Sequence, residues 1–115
     1  MKVQVMQKYP IKWEHPGEFP TFEKGTPVVL AKEEDTDFLG WYASDILGHK
    51  PFTPKIFVHD GKLTRDYNPT ELIQEAGDIL EAHEIVHSWL LATNDKGVTG
   101  WIPTEVVVSV ISVKN

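Results

Sequence analysis

A segment that begins on glycine and closes on proline six residues later occurs twice in this chain, as Gly48-His49-Lys50-Pro51-Phe52-Thr53-Pro54 and as Gly97-Val98-Thr99-Gly100-Trp101-Ile102-Pro103. In both copies a valine, Val58 or Val107, follows the proline by four residues. Upstream, Trp41 matches Trp89, Gly25 matches Gly77 and Tyr9 matches Tyr67. The early intervals differ: sixteen residues separate Tyr9 from Gly25, and ten separate Tyr67 from Gly77. Equal closing segments with unequal loops are what a duplicated small fold leaves behind, because surface loops tolerate changes of length and packed segments do not. The repeat predicts two domains, 1–59 and 60–115, with only His59-Asp60-Gly61-Lys62 between them. A connector so short predicts domains held side by side rather than freely tethered.

Within each copy the apolar residues run in strand-length stretches bounded by turn residues. Val3 and Val5 alternate in a first strand, and Pro10 opens a long loop that contains Trp13, Glu14, His15-Pro16-Gly17 and Glu18. Val28-Val29-Leu30-Ala31 is β-branched at its start, with Val28 and Leu30 predicted to face a core. Glu33-Glu34-Asp35-Thr36-Asp37 reads as a solvated charged loop, Leu39 to Ser44 as the strand carrying Trp41, and Ile56-Phe57-Val58 as the last strand of the copy. In the second copy, which starts at Leu63, Ile79 to Ala82 and Trp89 to Thr93 are predicted strands. Asn94-Asp95-Lys96-Gly97 has the chemistry of a hairpin turn closed by a left-handed glycine. Pro103 breaks the ladder before a last strand, Val106 to Val110.

Composition narrows the function class. The 115 residues are 41% hydrophobic and include no cysteine, which excludes a disulfide framework, a thiol nucleophile and cysteine-ligated zinc. No uninterrupted apolar run approaches the roughly 18 residues of a membrane span, and the N-terminus lacks a signal-peptide core, so a soluble, cytoplasmic protein is expected. A net charge of −6 disfavours nucleic acid and anionic membranes as partners and favours basic ones. The serines Ser44, Ser88 and Ser109 lack nucleophile-elbow glycines, and no glycine-rich phosphate loop opens a helix. The chain is expected to be no enzyme, to need no cofactor or metal, and to be a monomer.

The series Asp66-Tyr67-Asn68-Pro69, Glu71-Leu72, Gly77-Asp78-Ile79-Leu80, Ser88-Trp89-Leu90-Leu91-Ala92 and Gly97 to Pro103, with Val106-Val107 behind it, resembles the Src-homology 3 (SH3) family in order and spacing. The resemblance implies an all-β fold of two small five-stranded SH3-like barrels in tandem, each with a short helical turn before its last strand. It also implies a binding module for proline-containing or basic peptides, whose left-handed helix lies on an aromatic shelf. Carried onto this sequence, the shelf is Tyr9, Trp41, Pro54 and Phe57 in the first copy and Tyr67, Trp89 and Pro103 in the second. Arg65, Val106 and Gln7 stand where the family has tyrosines. The acidic specificity loops fall on Glu14, Glu18, Asp35 and Asp37, and on Glu71, Glu75 and Glu84. The fuller first shelf is expected to be the better binder. Recognition of cell-wall peptides is an alternative that the same fold allows.

One motif points to a different class. His83-Glu84-Ile85-Val86-His87 satisfies His-Glu-x-x-His, which on a helix puts two imidazoles on one face to hold zinc beside a general base. The alternative of a zinc metallopeptidase, with Glu105 as a third ligand, needs a helix through Leu72, Ile79 and Val86 with Gly77 in its middle, at a cost of about 1 kcal/mol. The barrel reading makes His83 to His87 a loop instead, and reads His15, His49 and His59 as surface residues.

Overall fold

The computed structural model describes residues 1–10 and 18–110. The protein is all-β. Among the described residues ten strands are joined by turns and by two single-turn 3-10 helices, Lys55–Phe57 and Thr104–Val106. Among the described residues no helix is long and apolar enough to cross a membrane.

The chain divides into two compact units, but not at residue 59. One unit combines 1–17 with 71–115, and the other is the uninterrupted stretch 18–70. The expected boundary fails because β1 (Lys2–Val5) pairs with partners more than seventy residues away. On one side it meets β7 (Ile79–Val86), with Val3 opposite Leu80, and on the other β10 (Val107–Ser109), with Val3 opposite Ser109. With β8 (Trp89–Thr93) and β9 (Thr99–Pro103) these strands form one five-stranded sheet in the order β10-β1-β7-β8-β9. Val3 and Val5 join Leu72, Leu80, Leu90, Ile102 and Val106 in its core. Strand alternation explains the choice, since Lys2 and Gln4 point away while the two valines are 5% and 1% exposed.

In the unit 18–70, β2 (Val29–Glu34), β3 (Trp41–Asp45) and β4 (Phe52–Pro54) make a three-stranded sheet. A two-stranded ribbon joins β5 (Val58–His59) to β6 (Lys62–Leu63). The four residues read as a connector are therefore a hairpin. Asp60 and Gly61 both adopt positive φ, 49° and 72°, the twist that a two-residue hairpin loop requires. β6 continues the unit by bridging to Pro27, and Tyr67 bridges to Phe22. Sheets of five, three and two strands replace the predicted pair of five-stranded barrels.

Several local expectations are met: Trp89–Thr93 is a strand, Gly97 closes its turn at φ 80°, and the 3-10 turn after Pro103 precedes the last strand. Asn94 Oδ1 holds that hairpin turn by accepting the Lys96 and Val98 amides. Val28 is buried as expected, whereas Leu30 is only half-buried. Ile56-Phe57 is a 3-10 turn rather than strand. Its Phe57 is buried and Ile56 exposed, and only Val58 and His59 pair. Buried polar groups are satisfied: Gln74, 4% exposed, donates to Asp78 Oδ2 at 2.8 Å and accepts from Asn94 at 3.0 Å.

Candidate aromatic and acidic site

The aromatic residues singled out in the sequence do come together, but with their tyrosines exchanged. Trp89 begins β8 directly opposite Pro103 in β9. The tyrosine that meets it is Tyr9, edge-on at 5.9 Å and 83°, and not Tyr67 of its own copy. Tyr9 arrives because its backbone forms a bridge to Gln74, with hydrogen bonds of 2.9 and 2.7 Å, just beyond the strand that β1 supplies to this sheet. Tyr67 instead belongs to the unit 18–70. There it meets Phe57 edge-on at 5.5 Å and donates its hydroxyl to the Phe52 carbonyl at 2.6 Å. Trp41 faces Pro54 across β3 and β4 in that same unit.

Burial separates the two groups. Trp41 and Phe57 are each 4% exposed, Tyr67 is 2% exposed, and Pro54 is fully buried, so these rings are core of the 18–70 unit. Arg65 lies over Phe57, its guanidinium carbon 4.4 Å from the ring centroid, a cation–π contact. Trp89 is itself 9% exposed and Pro103 opposite it is buried, while Tyr9 and Glu71 beside it are half-buried and Glu105 is exposed.

The Tyr9 hydroxyl donates to Glu71 Oε1. Burial, that hydrogen bond, and the charges of Glu71 and then Glu105 together push the Tyr9 phenol above its ordinary pKa, because each disfavours a phenolate. Two carboxylates beside two aromatic rings suit a cationic group that can pair with the acids and lie on a ring face. Glu71 enters this position through a parallel bridge to Trp101. Glu105 was not among the expected specificity acids; it sits on the 3-10 turn two residues past Pro103, and that spacing from the proline was the available signal.

The other acids are dispersed. Asp35 Oδ1 caps its own loop by accepting the Asp37 and Phe38 amides at 2.8 and 2.9 Å, and Asp37 is exposed. Glu18 is exposed, and Glu75 approaches Lys8 at 3.7 Å. Glu84 lies half-buried on β7, and Glu14 falls outside the described residues, as do Trp13 and His15.

The first four residues of the His-Glu-x-x-His sequence lie on β7, which continues through a bulge between Ala82 and Glu84 to Val86, so most of the loop expected there is strand. His83 is a strand residue bonded through Nε2 to the Thr93 hydroxyl at 2.7 Å. His87 begins the turn at φ 42°. A strand followed by a turn does not give these two imidazoles the shared helical face that the zinc motif requires. Among the described residues no three metal-ligating side chains come together. No protein-family model, curated protein or solved structure matches this chain.

Proposed function

We propose that this protein is a non-catalytic protein- or peptide-binding module of SH3-like character, acting in the cytoplasm on partners that present basic, proline-containing segments. The observation that carries the reading is the corner formed by Tyr9, Trp89, Glu71 and Glu105, in which an edge-on aromatic pair stands beside two carboxylates. Its support is threefold. The sheet that holds the corner has five strands, a 3-10 turn follows Pro103, and the tyrosine, tryptophan and proline positions of the shelf meet in one unit. The tandem, SH3-like character of the 18–70 unit rests on the sequence repeat and on the pairing of Trp41 with Pro54. Binding is assigned to Trp89 rather than to Trp41 because Trp89, 9% exposed, stands beside the half-buried Tyr9 and Glu71, whereas Trp41, 4% exposed, shares its unit with the buried Phe57 and Tyr67.

The test is a 15N-resolved titration of the whole chain with acetyl-RPLPPKP-amide up to about 1 mM, the range of a weak complex of about −4 kcal/mol. The Trp89 indole signal is expected to shift, Trp89→Phe to weaken binding several-fold, and Trp41→Phe to leave it unchanged. Carboxylate contacts at a partly exposed site are screened by salt, so affinity is expected to fall as salt is raised from about 0.05 to about 0.5 M. No shift at Trp89 or Glu71 at the highest peptide concentration would exclude this function.

A further inference from the structure

β10 is a terminal strand of its sheet, and among the described residues no strand pairs with its outer edge. Its inward groups are fixed by the ladder to β1: Met6 N–H donates to the Val106 carbonyl, Val110 N–H donates to the Lys2 carbonyl, and Gln4 stands opposite Val108. In an antiparallel ladder the intervening residues, Val107 and Ser109, then direct their main-chain groups outward. The Val107 N–H is taken by the Thr104 carbonyl of the preceding turn. What remains outward is one donor, the Ser109 N–H, and two acceptors, the Val107 and Ser109 carbonyls.

Edges of this kind are usually blunted by lysine, by proline, by a covering segment or by brevity. Val106 to Val110 contains neither charge nor proline, so brevity alone limits this one. Side chains alternate along a strand, which puts Val108 and Val110 on the face of Gln4 and Lys2, away from the core valines of β1. There Val108 and Val110 are 45% and 40% exposed, and Met6, bonded to Val106, is 56% exposed. The uncharged run Val106-Val107-Val108-Ser109-Val110 is flanked by Glu105 and has Val108 at its middle. A twofold axis through Val108 therefore lays the run antiparallel on itself, Val106 facing Val110 and Val107 facing Ser109. The Ser109 amide of each copy then donates to the Val107 carbonyl of the other, and the Val107 N–H, already committed to its own turn, is not called on. No charge meets a like charge along the seam. An edge without charge of its own selects neither a basic nor an acidic segment, whereas its donor and acceptors complement themselves.

We propose that the outer edge of β10 pairs with the same edge of a second copy of this chain, an isologous contact about Val108 that joins two five-stranded sheets into one. The contact is small, since strands this short bury well under the roughly 1,200 Å² of a stable complex. Each copy also carries a net charge of −6, which opposes approach until salt screens it. The chain is therefore a monomer when dilute and pairs when concentrated, more strongly as salt is raised. That sign is opposite to the salt dependence of peptide binding at the Tyr9 and Trp89 corner. β8 and β9, which carry Trp89 and Pro103, lie at the other end of the strand order, so either contact can fail without the other.

The experiment follows the full chain from about 0.05 to about 2 mM by sedimentation and 15N-resolved spectra, a range that brackets a millimolar complex. The average mass is expected to climb toward that of two copies, with shifts centred on Val107 to Ser109, and to climb further between about 0.05 and about 0.5 M salt. Because the chain has no cysteine, Val108→Cys puts a single thiol on the axis. Residues opposed there form the close, non-hydrogen-bonded kind of pair, roughly 4.5 Å between Cα atoms and within disulfide reach. Under oxidised glutathione it is expected to form a covalent dimer at least about five-fold faster than Val29→Cys, whose site is 70% exposed but off this edge. Val108→Lys sets two cations opposite each other and is expected to abolish association while spectral dispersion is kept; mixing it with Val108→Glu is expected to restore association. Equal crosslinking of the two cysteine variants, association that persists in Val108→Lys, or association that weakens as salt is raised would each overturn the proposal. So would a single mass at the highest concentration, even if an added peptide shifted the Ser109 amide, since another chain would then be the occupant.

Discussion

At Tyr9 one phenol links backbone, aromatic packing and charge. Its hydroxyl donates to the half-buried Glu71 while its ring edge meets Trp89, so the neutral form is the one the fold accommodates. A phenol whose pKa is raised on folding stabilises the protein fully below the ordinary tyrosine pKa near 10. That stabilisation is lost as pH rises above 10, because the unfolded chain then releases a proton that the folded chain retains. Wild-type protein is therefore expected to lose stability above about pH 10 more steeply than Tyr9→Phe, measured by urea unfolding at pH 9 to 11. At neutral pH Tyr9→Phe is expected to cost about 1.5 to 3 kcal/mol, the ordinary range for a hydrogen bond to a charged group. Equal pH slopes in the two proteins would show that the phenol is not held neutral.

At the scale of elements, the hairpin joining β7 to β8 turns on His87 and Ser88, both with positive φ, 42° and 71°. Histidine is found in that region more often than most residues and serine is not, but a left-handed conformation costs any residue with a Cβ roughly 1 to 2 kcal/mol. Asparagine and glycine are the natural occupants of such a loop. His87→Asn with Ser88→Gly is expected to stabilise the protein by about 1 kcal/mol and to raise Tm by several degrees in thermal unfolding followed by circular dichroism. The Ser88 carbonyl, which accepts both the amide and the hydroxyl of Thr104, is retained in the double variant. The same hairpin separates the two histidines of the zinc motif in conformation: His83 lies on the strand and His87 in the turn, so they share no helical face.

For the whole molecule the decisive feature is that a contiguous unit, 18–70, interrupts the chain of the other. Expressed alone, 18–70 is expected to give a dispersed 15N spectrum. The fragment 60–115 is not, because it lacks β1 and with it Val3 and Val5, two members of the core cluster. Adding a peptide of residues 1–10 to 60–115 is expected to restore dispersion in part; a folded 60–115 without it would show that β1 is dispensable. Much of the local structure was legible in the sequence. Valines at alternate positions marked β1, Asn94 to Gly97 marked a turn, Pro103 marked the end of a strand, and a tryptophan upstream of a glycine-to-proline segment of equal length marked matched strands in both copies. These signals are local, since alternation, left-handed glycines and missing N–H groups act within a few residues. What the tertiary structure alone decided is which copy each opening arm joins. Tyr9 could meet Trp41 or Trp89, and Tyr67 the same, because the repeat makes the two alternatives nearly alike in sequence. The choice was settled by non-local pairing of β1 with β7 and β10, and of Tyr67 with Phe22. Strand pairing depends on edge hydrogen bonds and on the packing of both faces, neither of which leaves a mark in the spacing of residues along one strand.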